Sequence, residues 1–335
     1  MSVPVIAFFN NKGGVGKTSL VYHIAWMMSD LGHRVLAVDI DPQCNLTAAF
    51  IDEDDLGSLW SSDDNQKTIF DAVLPLIKGT GDISAPYLQE QTYNLAVIPG
   101  DMALSSFEDD LSQEWPKCLE GRERSFRIIS AFWRILQKGA EEHKSQFILM
   151  DLGPNLGSIN RAALIASDFV VIPLGPDLFS IQGLENLGPT LREWRQGWED
   201  RKNKNPHLGF QLPLGRMKPI GYIVMQHTIR SNRPVKSYER WIARIPATYR
   251  RSILKENNEG TTKVIDDENC LTLLKHYRSL MPMAQEARKP IFHLQAADGA
   301  IGAHSYSVRD AHRDFKVVTE KIIGIVNEKT HQSPS

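Results

Sequence analysis

A glycine-rich turn near the beginning of the chain constrains the fold more than any other feature. The turn consists of Lys12-Gly13-Gly14-Val15-Gly16-Lys17-Thr18-Ser19. It follows the apolar run Val5–Phe9, which has the length of a buried strand, and it leads into Lys17–Leu31, whose apolar residues recur at helical spacing. A strand, a turn and a helix in this order direct backbone N–H groups and a helix N-terminus towards one anion. We therefore predict a phosphate-binding loop.

The pattern of this loop also predicts its ligand. In the pattern G-x-x-x-x-G-K-[ST], the lysine reaches the β- and γ-phosphates of a nucleotide, and the next hydroxyl binds Mg²⁺. Lys17 and Thr18 hold these two positions, although Asn11 stands where the strict pattern begins with glycine. We therefore predict that a nucleotide and Mg²⁺ bind here, and that all eight residues of the turn contact the nucleotide.

Two later strand-like runs end in carboxylates. The first, Arg34–Asp41, contains Asp39 and Asp41 near its end, and the second, Phe147–Asp151, ends in Asp151. Beside a bound triphosphate, one carboxylate of a pair can organise Mg²⁺ and the other can orient the attacking water. Asp151 has the position of a Walker B aspartate, so we predict that it holds Mg²⁺ through water. A second interpretation is that Asp39 and Asp41 cap a strand and start a turn.

The order of the predicted elements indicates the fold class. Strand and helix patterns alternate through the first half of the 335-residue chain, and 42% of all residues are hydrophobic, enough for a substantial core. This alternation predicts an α/β fold with a doubly wound, mostly parallel sheet, and it predicts the nucleotide at the carboxyl ends of the strands.

We predict a single domain over residues 1–335, with insertions near residues 51–66, 115–140 and 189–275. The first insertion contains an acidic stretch, Ile51–Asp55, for which the sequence indicates no role. In the second, large apolar residues at helical spacing predict one core-facing helix. These residues are Phe126, Ile129, Phe132, Trp133 and Leu136.

The loop and the first pair of carboxylates resemble the ParA/MinD family of ATPases. Members have a deviant loop of the form K-G-G-x-G-K-[ST], and the segment Val38–Gln43 is similar to their V-D-x-D-P-Q motif. The resemblance implies ATP hydrolysis and a dimer that encloses two ATP molecules, in which Lys12 reaches the partner's phosphates. It also implies a hydrolytic role for Asp41 and a position on the metal side for Asp39. Gly153 departs from the family's more frequent D-x-P-P sequence after the Walker B strand.

The resemblance extends to the purine and to the biological role. By position, four residues are predicted to enclose the adenine: Met225, Gln226, Pro282 and Met283. Members of the family act in plasmid or chromosome partitioning, which implies non-specific DNA binding and a ParB-like activating partner for this chain.

A basic segment offers a candidate surface for DNA. The formal net charge of the chain is only −2, so this basic character is segregated along the sequence. Cations interleaved with aromatic residues suit contact with a phosphate backbone. The alternative is a solvated helix face whose arginines pair with carboxylates. The residues are Arg230, Arg233, Lys236, Arg240, Arg244, Arg250 and Arg251.

Two other functions fit parts of the sequence. A MinD-like spatial regulator would bind membranes through its last helix, here Ser307–Val326, but acids dilute the basic face of this helix and favour docking on the core. An amidoligase or synthetase of the related branch would need a small-molecule pocket, and Lys12 argues against it. The chain has no stretch typical of a membrane span, and its three cysteines are widely spaced. We therefore expect a cytoplasmic protein, with nucleoid association as a further expectation.

Overall fold

The computed structural model describes residues 2–60, 67–205, 207–226, 235–256 and 262–331, with only the backbone for Gln226, residues 235–238 and His331. Within these residues, eight strands form one sheet in the order β3-β4-β2-β5-β1-β6-β7-β8. They are β1 (Val5–Phe8), β2 (Val35–Asp39), β3 (Gln89–Thr92), β4 (Leu95–Ile98), β5 (Phe147–Asp151), β6 (Phe169–Leu174), β7 (Lys218–Gln226) and β8 (Cys270–Lys275).

Helices cover both faces of this sheet. They are α1 (Lys17–Asp30), α2 (Asn45–Phe50), α3 (Glu53–Leu59), α4 (Ile69–Lys78), α5 (Phe107–Lys117), α6 (Glu123–Ile129), α7 (Ala131–His143), α8 (Ser158–Ala166), α9 (Leu178–Lys202), α10 (Val235–Ile242), α11 (Ile245–Thr248), α12 (Leu280–Ala287) and α13 (Ala303–His331). A π-helical turn, Tyr249–Leu254, follows α11.

The sheet is mostly parallel. Only β3 and β4 pair antiparallel among the described strands, and every other neighbouring pair runs in the same direction. The prediction of a doubly wound α/β fold is therefore confirmed. Because Asp151 is the register partner of both Phe8 and Asp39, the end of β1 and the carboxylates that end β2 and β5 meet at one edge of the sheet.

The predicted helix of the second insertion is two helices. The apolar residues Phe126, Ile129, Phe132, Trp133 and Leu136 are all buried, as their spacing indicated. However, α6 ends at Ile129 and α7 begins at Ala131. The Ser130 hydroxyl, between them, donates to the Phe126 carbonyl at 2.6 Å, and such a local hydrogen bond competes with continued helix.

The last helix packs on the core. Along α13, residues on one side are buried in the apolar layer that also contains α1 and α12: Val308, Ala311, Phe315, Val318, Ile322, Ile323 and Val326. The expectation that this helix docks on its own protein agrees with this packing. In the described residues, no helix has both the length and the apolar character to cross a membrane.

A buried histidine joins α1 to α13. His23 stacks on Phe315 with ring centroids 4.8 Å apart, its Nε2 accepts from the Ile291 N–H at 3.2 Å, and its Nδ1 lies 2.7 Å from the Ser19 carbonyl. With its proton on Nδ1, the ring donates to the Ser19 carbonyl and leaves Nε2 free to accept from the Ile291 N–H. These two contacts therefore require the neutral form of the imidazole. Burial lowers the pKa of His23 to about 4, against a hydrogen bond to Ser19 that raises it.

We expect His23 to make the protein sensitive to acid. The pKa of His23 is lower in the native state than in the unfolded chain, so between pH 6.5 and pH 4 the unfolded chain binds a proton that the native state does not bind. Proton uptake therefore favours unfolding, and the free energy of unfolding is highest above pH 6.5 and decreases as the pH falls towards 4. The loss between pH 7 and pH 5 should be about 2 kcal/mol. Urea unfolding at several pH values checks this. A His23→Gln variant should be less stable at pH 7 but show a flatter pH profile, and an equally steep profile in the variant would contradict the assignment.

Candidate functional site

The glycine-rich turn folds as a loop between β1 and α1. Gly14 and Gly16 have φ of +72° and +84°, a left-handed conformation that favours glycine. A β-carbon at Gly16 would also lie 3.0 Å from Cε of Met225. The Met225 side chain therefore lies next to the turn but does not line the cavity described below, and its contact with adenine stays a prediction.

Lys17 is the first residue of α1 and points into the loop. Its side chain is mostly buried, and its Nζ donates to the Lys12 carbonyl at 3.3 Å. Burial lowers the pKa of the ammonium, while the carboxylates of Asp151 and Asp41 act to raise it. The structure therefore brings the loop lysine together with two of the three predicted carboxylates.

Asp151 is fully buried, and neither carboxylate oxygen has a hydrogen-bond partner of ordinary geometry within the described residues. Burial raises the pKa of this carboxyl and neighbouring Asp39 raises it further, while the Thr18 hydroxyl and Lys17 act to lower it. Buried polar atoms are nearly always satisfied, so such a carboxylate requires an explanation. The donor set of a carboxylate beside a threonine hydroxyl fits Mg²⁺, which prefers oxygen ligands.

Asp39 is used differently. One oxygen accepts from both the N–H and the hydroxyl of Thr47, at 2.8 Å each, and the other accepts from the Asp41 N–H at 3.2 Å. The Gly100 N–H in turn donates to the Thr47 hydroxyl at 2.8 Å. Asp39 therefore fastens α2 to the sheet, and we no longer propose it as a direct metal ligand.

Asp41 lies at the wall of the cavity next to the loop. It is 7% exposed, and its Oδ1 accepts from the Gln43 N–H at 3.0 Å. A β-carbon at Gly153 would lie only 3.2 Å from that oxygen. The departure from proline at position 153 therefore leaves room for the Asp41 carboxylate.

A cavity of about 720 Å³, a volume within the usual range for small-molecule sites, is lined by Lys17, Thr18 and Asp41 of these groups. Its walls come from the glycine-rich turn, α1, the segment from Asp41 to Glu53, and α12. The lining residues are Gly13, Gly14, Gly16, Lys17, Thr18, Ser19, Tyr22, His23, Asp41, Gln43, Asn45, Ala48, Ala49, Glu53, Pro154, Met281, Ala284, Gln285, Arg288 and Lys289.

The α12 wall corrects two adenine assignments. Pro282 is exposed, and Met283 packs towards Gly299, where a β-carbon would meet its Cε at 2.9 Å. The α12 residues that line the cavity are instead Met281, Ala284 and Gln285, and Arg288, which follows the helix, lines it as well. The i, i+3, i+4 spacing of the first three shows in the sequence that they share a helix face, but not that this face lines a cavity. The fourth assignment, Gln226, has a side chain outside the described atoms.

Lys12 points away from this cavity. Its Nζ forms an ion pair with Asp177, the N-cap residue of α9, whose other oxygen accepts from the Ser180 N–H at 3.0 Å. The ammonium also lies 5.8 Å from the centre of the Phe179 ring, which is 67% exposed. Lys12 is thus held at the surface beside an exposed aromatic side chain.

Only some of the described side chains of the basic segment are exposed to solvent. Arg230 and Arg233 lie outside the described residues, as does the side chain of Lys236. Arg240 and Arg244 are exposed on either side of Trp241, 5.5 and 5.1 Å from its indole, and Arg251 is exposed and 2.8 Å from Glu185.

Arg250 is not a surface cation. It is buried, and its guanidinium lies 2.5 Å from the fully buried carboxylate of Asp267, which also accepts from the Tyr222 hydroxyl at 2.6 Å. Its assignment as a DNA contact is therefore wrong. Sequence reasoning could not identify this, because the acidic partner comes from the segment before β8.

We expect Arg250→Ala to lower the free energy of unfolding by about 3–5 kcal/mol, because it leaves the buried Asp267 carboxylate without its cation. Denaturant unfolding measures this value. Arg251→Ala is the matched control, since its ion pair with Glu185 is exposed and should contribute about 0–1 kcal/mol. Equal losses in the two variants would contradict the structural role.

Comparisons with known proteins agree with this site. The family model AAA_31, an AAA domain, matches residues 3–205, more than half of the chain. The chromosome partitioning protein ParA of Caulobacter vibrioides is 29% identical over 207 residues, covering 62% of this chain and 67% of ParA. The solved structure of DIP2308 from Corynebacterium diphtheriae is 26% identical, with a TM-score of 0.67 over 85% of this chain and 97% of DIP2308. McdA of Cyanothece, solved with ATP, shares the fold at 16% identity, with a TM-score of 0.61 over 96% of both chains.

The matched region contains the glycine-rich turn, Asp41 and Asp151, and so holds every predicted group that meets at the carboxyl edge of the sheet. The α12 wall of the cavity lies beyond that region. By its loop, its sheet and these relatives, the chain belongs to the ParA/MinD family of P-loop ATPases.

Proposed function

We propose that this protein is an Mg²⁺-dependent ATPase that dimerises with ATP and acts as a switch in plasmid or chromosome partitioning. The observation that carries the proposal is the buried carboxylate of Asp151, whose oxygens have no hydrogen-bond partner of ordinary geometry in the described residues. It lies beside Lys17 and Thr18, and both of these residues line the cavity next to the phosphate-binding loop. The similarity to a chromosome partitioning ParA and to a fold solved with ATP supports it.

The residues of the site divide the work of phosphoryl transfer to water. Lys17 and the loop amides hold the β- and γ-phosphates, and Asp41 orients the attacking water and accepts its proton. Thr18 and Asp151 would hold Mg²⁺, which neutralises charge on the phosphate oxygens when it is bound.

The surface around Lys12 supports the dimer. Lys12 lies outside the cavity of its own chain, so it is available to the cavity of a second copy. Exposed apolar side chains follow Asp177 at the start of α9, Leu178 at 45% and Phe179 at 67%. Exposed apolar side chains that are rimmed by polar residues are found at protein interaction sites.

DNA and a partner protein complete the proposal. Of the predicted basic residues, Arg240, Arg244 and Arg251 are exposed, so they are the described candidates for phosphate contacts. A ParB-like partner would act at the ATP-bound dimer and accelerate a slow intrinsic rate. The membrane alternative is disfavoured, because the apolar side of α13 is buried in the core. We propose a cytoplasmic protein that associates with the nucleoid.

The central test measures oligomeric state and turnover together. Light scattering after size exclusion should show a dimer with Mg²⁺ and a slowly hydrolysed ATP analogue, and a monomer with ADP. Phosphate release should require Mg²⁺ and should be absent in Lys17→Ala. A protein that stays monomeric with the analogue, or that releases no more phosphate than Lys17→Ala, would overturn the proposal.

A further inference from the structure

Arg288 is a cation of the cavity to which neither the loop motif nor the proposed chemistry assigns a role. It follows the last residue of α12, in a left-handed conformation with φ of +50°. It lines the same cavity as Lys17. Its Nη1 donates to the Ile51 carbonyl at 2.7 Å, where α2 ends, and only 31% of its side chain is exposed.

The acidic partners of Arg288 lie at the rim of the cavity. Its Nη1 is 2.9 Å from Asp52, and its Nη2 is 4.0 Å from Glu53. These two carboxylates are 67% and 89% exposed. Ion pairs with such exposed partners contribute little, about 0–1 kcal/mol. Arg288 is therefore a half-buried guanidinium whose acidic partners are weakly bound.

Lys289, the neighbouring cation of the same wall, differs in this respect. Its Nζ lies 2.9 and 3.0 Å from the two carboxylate oxygens of Asp298, whose side chain is only 13% exposed. A ligand would have to displace a better-shielded partner to recruit Lys289. Guanidinium also matches phosphate geometry with two parallel hydrogen bonds, which an ammonium cannot do.

We infer that Arg288 is a nucleotide-binding residue that exchanges Asp52 and Glu53 for the phosphate-bearing ligand in the cavity. The inference rests on the proposed function, since it takes a nucleotide as the ligand. It assigns a role to the acidic stretch that the sequence left unexplained: Asp52 and Glu53 hold the guanidinium in place while the cavity is empty. Binding then releases the start of α3 from α12.

The test compares variants that remove the contact of Arg288 with Asp52 and Glu53, either by replacing the arginine or by replacing the two acids. Equilibrium binding of a fluorescent ATP analogue with Mg²⁺ should weaken about tenfold or more in Arg288→Ala. It should strengthen about two- to fivefold in the double variant Asp52→Asn/Glu53→Gln, because the guanidinium no longer has competing partners. If the contact only supports the cavity wall, both variants lose that support and both bind more weakly, which would overturn the inference.

Three controls make the result interpretable. Arg313→Ala removes an exposed arginine that pairs with Asp310 on α13, and it should bind as the wild type does. Arg288→Lys keeps the positive charge but lacks the planar guanidinium that makes two parallel hydrogen bonds, so its affinity for the ATP analogue should lie between those of the wild type and Arg288→Ala. Lys17→Ala separates the two proposals: unchanged binding there would overturn the nucleotide site itself. If Lys17→Ala loses binding but Arg288→Ala binds as the wild type does, only the role of Arg288 is overturned. Thermal unfolding of Arg288→Ala shows that this variant is folded.

Discussion

Asp41→Asn should reduce ATP hydrolysis by about 10²–10⁴-fold, the usual contribution of a positioned general base. Asparagine is nearly isosteric and retains an oxygen for the Gln43 N–H, so the local fold of the segment should persist. What it lacks is the ability to accept a proton from water. Binding of the ATP analogue should stay within about threefold of wild type, because Asp41 contributes mainly in the transition state.

Single-turnover phosphate release and equilibrium binding, measured on the same preparation, check this expectation. Asp54→Asn is the control, since it removes an exposed carboxylate of α3 without touching the loop. The dimer formed with ATP should also last longer in Asp41→Asn, because hydrolysis no longer ends it. Turnover close to the wild-type rate would show that another group positions the water.

Lys12→Ala should abolish ATP-dependent dimerisation and lower turnover by about 10³-fold, the lower end of the range for a cation supplied in trans. The structure gives the physical reason, because Lys12 lies outside the cavity of its own chain and pairs with Asp177. Light scattering with the ATP analogue and steady-state phosphate release measure the two effects.

A mixture of two inactive variants tests the direction of this effect. In a heterodimer of Lys12→Ala and Asp41→Asn, one site combines an intact Asp41 with the partner's intact Lys12. Mixing should therefore restore turnover if Lys12 acts on the neighbouring site. Two variants that remain inactive when mixed, although they form heterodimers, would place Lys12 in the site of its own chain.

Asp177→Asn should act in the opposite direction to Lys12→Ala. Asparagine retains the cap on the Ser180 N–H but removes the charge that holds Lys12 within its own chain. The two side chains are 28% and 33% exposed, so the pair contributes only about 0–1 kcal/mol. Dimerisation should therefore need a few times less ATP. A requirement for more ATP would show that Asp177 supports the dimer instead.

Local sequence was sufficient for the framework of the site. The apolar run before the turn and the helical spacing after it predicted β1 and α1, and alternation along the chain predicted the parallel sheet. Asp151 was predicted from its position at the end of a Walker B strand, and Asp41 from the resemblance of Val38–Gln43 to the V-D-x-D-P-Q motif. These features depend on residue type and on neighbours a few positions away.

The choice of partners for charged side chains depended on the tertiary structure. Arg250 lies in a basic stretch and suggested DNA, but Asp267 neutralises it in the core. Asp39 has the sequence position of a metal-side carboxylate, yet its carboxylate accepts hydrogen bonds from the N–H and the hydroxyl of Thr47. In both cases another segment of the chain supplies hydrogen bonds that replace those to water, because burial of a charged group without such partners is costly.

The sequence by itself determined the conformation of the glycine-rich turn between β1 and α1, since glycines at fixed spacing between a strand and a helix leave little choice of local geometry. Only the tertiary structure decided which face of α12 lines the cavity. It also decided that Lys12 forms an ion pair with Asp177, 165 positions away. The physical reason is that conformation follows from neighbours along the chain, whereas burial and pairing follow from neighbours in space.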